Sequence, residues 1–145
     1  NDAGQVTGWA ENSYGNRRGF LWAEETGLAD LGTLGGAESE AVGLNRQGQV
    51  VGHADTGDGR KQVPFVWRAD RGMEELRVAG GASAKVFGIN DRGEIFGVTE
   101  LPSRWWRRAW RWAGEKVSLP RSWWDGIAQR EAKLVYWRIA VPEEN

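Results

Sequence analysis

The chain has 145 residues, a net charge of −1, 21 glycines, 10 tryptophans and no cysteine. That is enough length for one domain with a real core, and the missing thiols exclude a disulfide framework, a cysteine nucleophile and thiolate metal sites. Near-neutral charge gives no reason to expect nucleic acid or an anionic membrane as partner.

The chain opens on NDAGQVTG, residues 1–8, and the phrase returns as NRQGQVVG from Asn45 and NDRGEIFG from Asn90, 44 and then 45 residues on. Gly4, Gly48 and Gly93 therefore share one phase. A second phrase follows in each unit: GFLW at 19–22, PFVW at 64–67 and RAWRW at 108–112. It places Phe20, Phe65 and Trp110 at one phase, and Trp22, Trp67 and Trp112 at another. Gly36, Gly81 and Gly126 supply a third landmark at the same period. Self-similarity at such a period marks a repeat architecture. The units run over about 1–44, 45–89 and 90–120 of a single repeat domain, with 121–145 as a degenerate or capping segment.

In N-x-x-G, an asparagine at the first turn position bonds back to the main chain, and glycine at the fourth accepts positive φ without a Cβ clash. The phrase thus predicts a tight hairpin turn with a bulge glycine. In the second unit, short apolar stretches bounded by Gly, Asn and Asp predict strands at 49–54, 63–68, 73–78 and 84–89. Glycines inside strands, such as Gly43, Gly52 and Gly88, point to crowding by another backbone. Four short antiparallel strands per unit predict an all-β fold: a β-propeller-like array of about three four-stranded blades, partial or open, with an irregular C-terminal segment. The Phe and Trp of F-x-W lie two apart on one strand face, suited to packing between neighbouring blades.

Candidate chemistry is sparse. Glu24 with Glu25, and Glu74 with Glu75, are adjacent carboxylates that face opposite ways on a strand, so they are expected to be solvated turn charges. His53, the single histidine, lacks a second histidine or cysteine as partner and is expected on a solvent-facing strand position. Asp55 and Asp58, in ADTGDGRK at 54–61, offer oxygen ligands to calcium but not at the spacing of an established loop, so a polar hairpin loop is expected and no cofactor. No nucleophile elbow, zinc-helix or phosphate-loop pattern occurs.

The third unit departs at SRWWRRAWRW, residues 103–112. Trp110 and Trp112 belong to the repeat, whereas Trp105, Trp106, Arg107 and Arg108 are additional and fall in the loop between the unit's first two strands. Trp beside Arg stacks on sugars or seats a partner's anchor residue, so these four are the candidate binding surface; covering a raw sheet edge is the other reading. From residue 101 onward the chain carries 9 basic and 5 acidic residues, a local charge of +4. No apolar run approaches the roughly 18 residues of a membrane helix. Because it opens on Asn1 inside a repeat phrase, the chain reads as an excised piece of a longer protein.

With these phrases assembled, the sequence resembles the HAF-type extracellular repeat family of bacteria, whose pattern is an aromatic-rich strand, D-L-G-T-L-G-G, a strand ending G-[IL]-N and then N-x-x-G-Q-V-V-G. GFLWAEETGLADLGTLGGAESEAVGLNRQGQVVG, residues 19–52, carries it nearly throughout. PFVWRADRGMEELRVAGGASAKVFGINDRGEIFG, residues 64–97, departs at D-L-G-T-L, and the likeness ends near residue 120. The resemblance implies a secreted or surface-located propeller-like protein with no catalytic residues to carry over.

The function expected is therefore a non-enzymatic extracellular or surface module, a scaffold or binding surface for a protein or glycan partner. The alternative is a fragment of a polysaccharide-directed propeller enzyme, a hydrolase or lyase. An open array of three blades also leaves strand edges that invite self-association or further blades.

Overall fold

The computed structural model describes residues 1–78, 83–100 and 134–140. They form an all-β molecule of three antiparallel sheets, with no helix among the described residues. The first sheet has β1 (Val6–Glu11), β2 (Arg17–Ala23) and β3 (Gly27–Asp30) in that order. The second has β4 (Gly35–Leu44), β5 (Val50–Thr56), β6 (Val63–Arg68) and β7 (Gly72–Glu75), again in chain order. In the third, β9 (Glu94–Glu100) lies between β8 (Ser83–Ile89) and β10 (Leu134–Ala140). None of the sheets closes on itself.

The strands of the second unit fall where the apolar stretches predicted them, but their grouping is one strand out of phase. The segment 84–89, expected as the fourth strand of that unit, belongs to β8 and pairs with β9. The place at the head of the second sheet is taken by β4, whose residues precede Asn45. The reason is local: N-x-x-G closes a hairpin, so the strands on its two sides pair with each other instead of being parted by it. The third strand also ends earlier than expected, at Glu75 rather than Val78.

The hairpin turns are built alike. Gly4, Gly48 and Gly93 sit at φ of 70°, 75° and 71°, a region costly for any residue with a Cβ. The Asn side chain at each turn start accepts the N–H four residues on, from Gln5, Gln49 and Glu94, at 3.0, 3.0 and 2.9 Å. Its Nδ2 donates to that same residue's side-chain oxygen at 2.8, 2.7 and 2.7 Å. The full turn motif is therefore N-x-x-G-[QE], one residue longer than N-x-x-G.

The three turns are also bonded to one another. Asn1 Nδ2 donates to the Asn45 carbonyl at 2.9 Å, and Asn45 Nδ2 donates to the Asn90 carbonyl at 3.2 Å. At the next position Arg46 lies between two acids, 2.6 Å from Asp2 and 3.3 Å from Asp91. Each neutral bond contributes about 0.5–1.5 kcal/mol net, and more counts on their shared geometry than on any one of them.

Two apolar clusters hold the sheets together, and one is nearly the other moved by one period. The first joins Leu31, Ala41, Val50, Ala54 and Phe65, with Leu21, Leu34, Leu44, Trp67 and Met73 against them. The second joins Val51, Val66, Ala84, Val86 and Ile95, with Leu76, Val78 and Ile89. Leu21 thus answers to Val66, Leu31 to Leu76, Ala41 to Val86, Leu44 to Ile89 and Val50 to Ile95. Alternation along β5 sends Val50 and Ala54 toward the first sheet and Val51 toward the third, so every residue of β5 is buried. Where β4 and β8 meet, a Cβ on Gly43 would lie 3.0 Å from the Gly88 Cα, so bare backbone is what lets these strands approach.

In the third sheet, the strand beside β9 is β10, with Gly97 opposite Trp137 where the second sheet has Gly52 opposite Phe65. Trp110 and Trp112 lie outside the described residues, as does all of 101–133.

Candidate binding surface

At the end of β5 the chain leaves the sheet through a loop, residues 57–62, that returns it to β6. Asp55 anchors this loop from inside. Its side chain is 3% exposed and accepts from Lys61 Nζ at 2.6 Å and from the Gln62 N–H at 3.3 Å. Gln62 itself is held at φ 55°, the one non-glycine residue with positive φ among those described, which is strain a surrounding structure must over-determine. Thr56 Oγ1 donates to Asp58 and also accepts the Arg60 N–H at 3.0 Å, closing the turn.

Arg60 then ties the loop to the far edge of the sheet. Its guanidinium forks onto Glu75 of β7 at 2.8 and 3.1 Å, and its Nε donates to Asp58 at 3.0 Å. Paired N–H donors on one carboxylate fix direction as well as distance. The same contacts set the local titration. The Thr56 hydroxyl, and then Arg60, lower the pKa of Asp58 from its ordinary value; Arg60 lowers that of Glu75; the hydrogen bond to Asp55 raises that of Lys61.

Between this loop and the start of the third sheet lies a cleft of about 510 Å³. Arg60, Lys61, Gln62, Glu75 and Arg77 form its polar rim, and Val63, Pro64, Leu76, Val78 and Ala84 its apolar wall. Fixed charged donors over an apolar wall are the usual makings of a site for a polar ligand. None of the rim residues was singled out from sequence as binding, although Arg60, Lys61 and Gln62 occupy the loop position that carries Trp105, Trp106, Arg107 and Arg108 in the third unit. Those four residues lie outside the described ones.

Asp55 and Asp58 do not converge on a common point, since one is turned into the protein onto Lys61 and the other outward onto Arg60. Among the described residues no group of three His, Asp or Glu side chains is placed to hold a metal ion. Glu24 and Glu25 are exposed in the turn between β2 and β3. Glu74 and Glu75 are strand residues rather than turn charges; they face opposite ways, Glu74 pairing with Arg68 and Glu75 with Arg60.

His53 corrects the expectation of a solvent-facing side chain. It is 6% exposed, because β5 lies between two sheets and has no solvent face. Its Nε2 accepts the Val86 N–H from β8 at 2.9 Å, and Nδ1 is 3.6 Å from Glu40 Oε1. A ring that accepts at Nε2 carries its proton on Nδ1, toward Glu40. Burial, the largest influence, lowers its pKa from 6.5 against the opposing pull of Glu40, and Lys85 lowers it further. The enclosed imidazole thus bridges β5 and β8 at the seam between two sheets.

Among the described residues no helix is long and apolar enough to cross a membrane. Comparison of the chain with models of protein families, with curated proteins and with solved structures gave no match.

Proposed function

We propose that the chain is a non-enzymatic repeat scaffold, a partial propeller-like array that offers its loop-lined clefts to a protein or glycan partner. The observation that carries this reading is the translation of one core onto the next: Leu21, Ala41 and Val50 recur as Val66, Val86 and Ile95 in the adjoining interface. These side chains pack one unit on the next, the nearest-neighbour contact on which stability in repeat proteins rests. The polar side chains left over, Arg60, Lys61, Glu75 and Arg77, are bonding groups on a rim and include no nucleophile with an adjacent base. An extracellular or surface location, and membership of the HAF-type repeats, are part of the same proposal and rest on the resemblance in residues 19–52.

The test is a panel of polysaccharides and glycan-bearing proteins incubated with the intact chain. Retention without release of new reducing ends is the expected result, and Arg77→Glu, at the exposed rim, weakens it while leaving thermal unfolding unchanged. Release of reducing ends turns the reading toward the polysaccharide-directed enzyme.

A further inference from the structure

We infer that the outward face of the first sheet is a docking surface for one further sheet of the same repeat type, one bearing a basic residue at the second position of its N-x-x-G turn. This rests on the repeat-scaffold reading and adds to it a place, an occupant and a charge rule.

The place is set by comparing equivalent positions. Val50, Phe65, Trp67 and Met73 of the second sheet lie under Leu21, Leu31 and Leu34 of the preceding unit, and Val50 and Phe65 are fully buried. Their counterparts one period earlier are Val6, Phe20, Trp22 and Leu28. Of these, Val6 is 52%, Trp22 39% and Leu28 61% exposed. The register sets Val6 opposite Trp22 and Trp22 opposite Leu28, so the three form one row across the sheet, with Phe20 in the next row. A contiguous apolar row of this kind on a sheet face is the mark of an interaction site rather than of scattered surface residues. The occupant follows from continuity, since an interface of the same composition is already made once, by the first unit on the second.

The charge rule comes from the turns. Arg46 satisfies Asp2 on one side and Asp91 on the other, so stacking alternates sign at this position. A sheet docked ahead of the first meets Asp2, whose side chain remains 73% exposed. A second copy presenting its Asn90 turn would set Asp91 against Asp2, two like charges. A unit with Arg or Lys there, as in Asn45–Arg46, complements it.

The experiment duplicates residues 45–89 in front of Asn1 of the full chain and compares it with the parent. Expected are a single unfolding transition at a higher midpoint and a fall in acrylamide quenching of Trp22 to the level of its counterpart Trp67, each read by a single fluorotryptophan label. Arg46→Glu in the added copy loses part of the midpoint shift, and combining it with Asp2→Lys recovers it. An added unit that folds but leaves Trp22 as accessible as before overturns the docking surface and leaves the scaffold reading standing. An added unit that stays unfolded on the intact chain overturns both. Unchanged stability under the charge reversal overturns the requirement for a basic turn.

Discussion

The first and second sheets are built from the same phrases and live in different surroundings. Val6, Phe20 and Trp22 stand at the positions of Val50, Phe65 and Trp67, yet the first set borders solvent on its outer side and the second is covered by a neighbour. The strands differ likewise at their edges: β5 pairs with β4 and β6, whereas among the described residues β1 pairs with β2 alone. The difference teaches that burial here is conferred by position in the stack rather than by the unit's own sequence. Identical residues therefore carry unequal shares of stability, and paired substitutions at equivalent sites measure that inequality.

The largest contrast is expected at glycine. A Cβ on Gly52 would lie 2.0 Å from the Glu40 carbonyl oxygen, while on Gly8 it would reach only the Phe20 ring at 3.4 Å. Gly52→Ala is expected to cost on the order of 4 kcal/mol or to prevent folding, since backbone cannot yield as a side-chain tip can. Gly8→Ala is expected to leave the urea midpoint nearly unchanged, and equal losses at both sites would mean that the two sheets are equally enclosed.

Next comes the aromatic pair. Phe65→Ala removes a fully buried ring and leaves a cavity, for a loss of about 3–5 kcal/mol, whereas Phe20→Ala is expected to cost roughly 1 kcal/mol by denaturant titration. The turn asparagines form a smaller contrast. Asn45, 2% exposed, holds its own turn and the Asn90 carbonyl together, and its replacement by Ala should cost about 2–3 kcal/mol. Asn1→Ala, at an exposed turn, should cost under about 1 kcal/mol.

The smallest effect sharpens the comparison through pH. The folded-state pKa of His53 lies below its ordinary 6.5, so the unfolded chain binds the proton more readily. Stability contributed by the neutral ring is fully present above pH 6.5 and is lost as pH falls below it toward the folded-state value. Protonation also deprives the Val86 N–H of its acceptor. His53→Gln is expected to flatten the unfolding midpoint over that window, and an unaltered slope would assign the pH response to the carboxylates instead.

Much of the fold was legible in the residues because turns announce themselves. Asn and Gly at fixed offsets specify a conformation locally, and the period, the hairpins and the strands at 49–54 and 63–68 followed from them within a residue or two. The phasing of the sheets follows from the same hairpin signal, but units cut at the most conspicuous punctuation miss it, because that punctuation falls inside a sheet; the first boundary between sheets falls instead at residues 31–34, after the short edge strand. His53 was misplaced because alternation along a strand tells which residues share a face but not whether a face meets water. The cleft depends on Arg60 reaching Glu75 across two strands, a pairing that no local pattern encodes. The glycines inside the strands did point to how units meet, since Gly43 lies against Gly88, whereas the sign at positions 2, 46 and 91, acid then base then acid, gained a meaning only once Arg46 was placed between Asp2 and Asp91.

The N-x-x-G-[QE] turns all lie at one end of the hairpins, while the loops 12–16 and 57–62 leave from the other. Insertions at that second rim are thereby decoupled from the bonds that index one unit on the next. Length and chemistry can diversify there, unit by unit, without disturbing the bonds between turns.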